Sequence, residues 1–110
     1  MSTIKANYTQ ETGSIRIYEN YVGRLTQYDA IVSVTWVGRD RVCLHGAHGR
    51  MNKAALIAIA EELIKFGARS ATMCREDMRR MPCARLVTRH DGLSEWCVDD
   101  IHKFIKDLGG

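Results

Sequence analysis

The chain has no run of 18 apolar residues; its longest near-apolar stretch, residues 54–60, is far too short to cross a bilayer. No signal-like apolar stretch follows Met1-Ser2-Thr3-Ile4-Lys5, so the expectation is a cytoplasmic protein with no membrane role. The four cysteines, Cys43, Cys74, Cys83 and Cys97, form no Cys-x-x-Cys pair. Without a secretory context, free and mostly buried thiols are expected rather than disulfides. Three common routes to catalysis are also missing: there is no Gly-x-Ser-x-Gly elbow, no phosphate-binding P-loop and no His-Glu-x-x-His helix. Net charge is only +3 and the isoelectric point about 8.8, below the strongly basic range of dedicated nucleic-acid binders. With no repeat, linker or low-complexity segment, residues 1–110 read as one domain.

What is present is a clear order of elements. Residues 4–9 alternate as an edge strand would, residues 10–14 signal a turn, and residues 15–19 alternate again, which together predict a first hairpin. Residues 30–37 form the strongest strand pattern, with Ala30, Val32, Val34 and Trp36 on one side and Ile31, Ser33, Thr35 and Val37 on the other. Both sides are apolar or small, so a central strand covered on both faces is expected. A turn at Gly38-Arg39-Asp40 returns the chain through residues 42–45, and Gly46-Ala47-His48-Gly49-Arg50 reads as a loop. Asn52 is a good N-cap and Gly67 a good C-terminal stop for a helix over residues 53–66. Leu56, Ile59, Ala60, Leu63 and Ile64 give it an apolar stripe that Ile57 and Phe66 extend, while Glu61 and Lys65 are spaced to pair on the wet side. The next strand, residues 70–74, is then expected parallel to residues 42–45 through a crossover. Pro82 bars a helix through the charged connection that follows. His90-Asp91-Gly92 marks a second hairpin between residues 84–89 and 93–98, with Trp96 and Cys97 as a packing pair. Asp99 is placed to cap a last helix over residues 100–108. The fold class is therefore α+β: a mixed, mainly antiparallel sheet of five to seven strands, one long packed helix and a C-terminal helix.

The succession of residues 42–45, the loop Gly46-Ala47-His48-Gly49-Arg50, the helix with Gly67-Ala68 after it, and residues 70–75 resembles the central part of GNAT-type N-acetyltransferases. It is also similar to short phage-borne proteins carrying a reduced version of that core. The resemblance implies a GNAT-like half-core, in which the loop and the helix N-terminus hold the pyrophosphate of acetyl-CoA through backbone N–H groups. Gly46, Ala47, Gly49, Arg50 and Lys53 would then be the cofactor-binding residues and His45 the catalytic base. The family's loop signature, Arg/Gln-x-x-Gly-x-Gly/Ala, has no register here, because Arg50 is followed by Met51-Asn52-Lys53.

The leading expectation is accordingly a small binding protein with no catalysis and no cofactor. The phage-borne resemblance places its protein partner in host or defence machinery. Arg75, Arg79, Arg80, Arg85 and Arg89 lie within fifteen positions, opposed there only by Glu76 and Asp77, and form the expected partner-docking surface. An acetyl-CoA-dependent N-acetyltransferase is the first alternative. Nucleic-acid binding is the second, resting on Arg85 and Arg89 facing the same way along a strand. Cys43, His45 and His48 form a partial ligand set, but a structural zinc needs a fourth ligand and tighter pairs, so no metal is expected.

Overall fold

The computed structural model describes residues 12–19, 23, 27–76 and 80–109. The expected strand over residues 4–9 lies outside them. Six strands and two helices follow in the order β1 (Thr12–Ile17), β2 (Ala30–Trp36), β3 (Arg41–Gly49), α1 (Lys53–Lys65), β4 (Ser70–Glu76), β5 (Arg85–His90), β6 (Leu93–Val98) and α2 (Ile101–Asp107). They build one mixed sheet in the order β1-β2-β3-β4-β6-β5. Only β3 and β4 run parallel, joined through α1, and the other neighbours are antiparallel. The expected crossover and mainly antiparallel α+β sheet are thus present.

Helix α1 forms where capping and apolar spacing coincide. The Asn52 carboxamide oxygen accepts from the Ala55 N–H at 2.8 Å, and Gly67 continues beyond the end with φ +95°. Ala55, Leu56, Ile59, Ala60 and Leu63 are buried against the sheet. Phe66 departs from the expected stripe: the helix stops before it and leaves the ring 74% exposed. Lys65 pairs with Glu62 at 3.4 Å rather than with Glu61. The cap of α2 also differs by one residue. Asp100 accepts from the Lys103 N–H, which leaves Asp99 outside the helix to meet Arg85.

Both helices cover one side of the sheet. Val32, Val34, Val42, Leu44, Ala71, Met73, Trp96 and Val98 are buried there, and Ile101, Phe104 and Leu108 of the α2 region complete the core. Among the described residues, no helix covers the opposite side. Among the described residues, helices therefore cover β2 on one face only, whereas coverage on both was expected. Its small residues Ser33 and Thr35, on the other face, are half-buried. β1 begins at Thr12, so Thr12, Gly13 and Ser14, expected as a turn, pair instead with Thr35, Val34 and Ser33. The turn of the β5–β6 hairpin is as expected: Asp91 and Gly92 both take positive φ, at 51° and 76°, as a two-residue hairpin turn requires.

Candidate functional site

The segment read as an anion-binding loop is strand. Gly46-Ala47-His48-Gly49 extends β3, with His48 opposite Ile31 and Gly49 opposite Ala30. One extra β3 residue is accommodated between the Ile31–His48 and Ser33–His45 pairs. Gly46, at φ +62°, supplies the left-handed residue that such a bulge uses. Gly49 has a second reason to be glycine. A Cβ there would lie 2.3 Å from the Asp29 carbonyl oxygen and 2.7 Å from Ala30 Cα, so the close approach of β2 depends on its absence. Local glycine content suggested a loop, whereas long-range pairing with β2 imposed a strand. Arg50, just beyond, points its guanidinium toward Glu19 at 3.9 Å.

The five arginines do not share one face. Arg85 stands opposite Cys97, while Arg89 stands opposite Ser94, three positions away on β6 and on the other side of the sheet. An extra residue in β5 between Leu86 and Thr88 causes the inversion. The expectation that Arg85 and Arg89 face the same way is therefore corrected. Arg85 is also engaged: it donates through Nε and Nη2 to the two carboxylate oxygens of Asp99 at 3.3 and 3.1 Å. That bond holds the Asp99 carboxyl below its ordinary range. Arg79 lies outside the described residues.

Arg75 and Arg80 do come together. Arg75 stands opposite Ser94 on the helix-covered side and donates to the Arg80 carbonyl oxygen at 3.3 Å and toward the Met81 sulfur at 3.8 Å. Met81 is buried and anchors the connection. Arg75, Arg80 and Lys53 line one groove of about 390 Å³ at the leading end of α1, with Met51, Leu56 and Pro82 as apolar walls and Asp107 as its carboxylate. The first turn of α1 holds no acidic residue, so the positive end of the helix dipole adds to the three side-chain charges. Lys53 thus belongs with the arginines, a grouping that no sequence spacing signals, because it joins positions on α1, on β4 and after β4.

His45, Cys43, Cys74 and Cys97 lie on the uncovered face. His45 is exposed and its Nε2 is 2.9 Å from Thr35 Oγ1. The bulge brings His48 onto this same face, opposite Ile31. Among the described residues no group of three or more His, Cys, Asp or Glu side chains is placed to hold a metal. The thiols are free, and none is fully buried as expected: Cys74 and Cys83 are exposed, Cys43 and Cys97 intermediate. Small residues on an uncovered sheet face keep partial access to water. Desolvation raises the Cys74 thiol pKa, helped by Cys43 and Glu95. Desolvation and the bond to Asp99 raise that of Cys97. Both are therefore weak nucleophiles near neutral pH. Trp96 and Cys97 do not pack together, since Trp96 is buried on the opposite, helix-covered side.

No helix among the described residues is long and apolar enough to cross a membrane. In comparisons with known proteins, no family model, no curated protein and no solved structure matches this chain.

Proposed function

We propose that this chain is a binding protein without catalysis of its own, and that it seats an acidic segment of a protein partner in the groove of Lys53, Arg75 and Arg80. The convergence of those three cations on one concavity, with Asp107 the one lining carboxylate among the described residues, carries the reading. Arginine is enriched at binding hot spots because its planar fork meets carboxylates two bonds at a time. The docking surface expected from sequence is thereby narrowed to Arg75 and Arg80 and joined by Lys53. The phage-borne resemblance makes host or defence proteins the first class of partner to test.

The experiment reverses charge at Lys53 and Arg80 together, leaving Arg75 to hold the connection. Lys53→Glu/Arg80→Glu loses the partner that the native chain captures, while the thermal midpoint stays within a few degrees. Binding by the native chain also weakens as salt shortens the range of its charges. Capture undiminished in the double variant would sink the proposal.

One observation favours an acetyl-CoA-dependent N-acetyltransferase as the second reading. The parallel pairing of β3 and β4 ends at Leu44–Met73, after which β3 continues on β2 and β4 continues on β6. The two strands part there, and His45, the next residue of β3, lies on the sheet face away from α1. Coenzyme A at a hundred times its dissociation constant would stabilise the fold by about 2.7 kcal/mol. An unchanged melting temperature at millimolar coenzyme A removes this alternative.

A further inference from the structure

A second groove lies at the trailing end of α1, at the other end of the helix from the basic one. It is a shallow, open depression of about 570 Å³ between the helix end, β1, β2 and the β2–β3 turn. Its walls are Ile15, Val34, Trp36, Leu63 and Phe66. Phe66 is 74% exposed, and Trp36 is half-buried.

Gly13, which lines the groove, contributes no side chain to it. Gly13 stands opposite Val34 on the helix-covered side of the sheet, in β1, the outer strand among the described residues. A Cβ placed on Gly13 meets no atom within 4 Å. Its φ is not positive, so glycine is not required there by the backbone. A larger side chain at this position would project into the groove.

Arg39, in the β2–β3 turn, is the sole charged side chain lining this groove among the described residues. It is exposed and carries no hydrogen bond or ion pair with any described residue. Two aromatic surfaces and three aliphatic ones beside one unengaged guanidinium define a complementary ligand: a flat apolar body ending in an anion. We propose that this groove binds a small aromatic carboxylate, with its ring system against Trp36 and Phe66 and its carboxylate on Arg39. Offset or edge contacts with the two aromatic residues favour a ring over an alkyl chain. A planar guanidinium receives a carboxylate by paired N–H donors. This site is independent of the basic groove and of the reading built on it.

Naphthoate and its neutral isostere naphthamide test the assignment, read from the indole N–H resonances of the intact chain. Naphthoate shifts the Trp36 resonance saturably and leaves that of buried Trp96 in place. Arg39→Gln weakens naphthoate about tenfold, the loss expected for one charge-assisted hydrogen bond, and leaves naphthamide unchanged. Gly13→Leu fills the groove and abolishes binding of both. No saturable shift at millimolar naphthoate overturns the proposal. So does naphthamide binding the native chain as tightly as the acid, or naphthoate binding undiminished in folded Gly13→Leu.

Discussion

Replacing Gly49 by alanine is a sharper test of the fold than any core truncation, because its cost comes from two separable sources. The backbone at Gly49 sits at φ +95°, where an L side chain costs about 1–2 kcal/mol. Its new Cβ also collides with backbone, 2.3 Å from the Asp29 oxygen and 2.7 Å from Ala30 Cα. Backbone atoms of a paired strand cannot swing aside as a side-chain tip can, so overpacking adds roughly 1–3 kcal/mol. Gly67 is the internal control. It has the same φ of +95° with nothing within 4 Å of its Cβ position. Gly67→Ala should therefore cost only the conformational part, about 1–2 kcal/mol, and Gly49→Ala roughly 2–5 kcal/mol in all. At about 4–8 °C per kcal/mol for a domain of this size, the two variants separate clearly in thermal melts and urea titrations. Equal destabilisation by the two alanines would refute the claim that β3 continues against β2 through Gly49.

Two further predictions concern buried and half-buried polar groups. The Trp96 indole N–H is buried without a hydrogen-bond partner among the described residues, and such an orphan costs about 1–3 kcal/mol. Trp96→Phe sheds that penalty as it gives up packing, so chemical denaturation should show a net loss below about 1.5 kcal/mol; a loss above about 3 kcal/mol, the scale of a full aromatic-to-alanine truncation, would contradict the orphan. The Cys74 and Cys97 thiols have folded pKa values raised above 9.0. The unfolded chain therefore releases these protons first, and stability falls as pH climbs above 9.0 toward the folded values. Cys74→Ser/Cys97→Ser should flatten that alkaline decline in pH-dependent melts, and an identical slope in the double variant would count against it.

The parts of the fold legible in the sequence are those set by local chemistry. Asn52 and Gly67 mark the ends of α1 because a cap and a left-handed stop are single-residue properties. Asp91-Gly92 marks its hairpin for the same reason. The parallel β3–β4 pair followed from the apolar face of the intervening helix. What was hidden depends on distant partners. Gly46 to Gly49 read as a loop until β2 is placed beside them, and Thr12 to Ser14 read as a turn for the same reason. The uncovered sheet face was hidden because Ser33, Thr35, Cys43 and Thr72 are small enough to suit either a second layer or water. The basic groove was half legible: Arg75 and Arg80 were marked by their cluster, but Lys53 and Asp107 reach it only through the packing of the two helices. The aromatic groove was not legible, because β1, β2, the β2–β3 turn and the end of α1 meet there only in the fold.

The additional residue in β5 has an effect beyond redirecting two arginines. β5 is a margin of the sheet, with Leu86 and Val87 both exposed, and a margin with apolar residues and unsatisfied backbone groups invites another strand to zip along it. Interrupting the regular spacing of those groups denies a template to an incoming strand, and cations projecting to both sides repel a second copy of the same segment. The hairpin can thus keep apolar residues in contact with water without seeding fibrous growth, which a shortened β5 lacking Val87 would no longer resist.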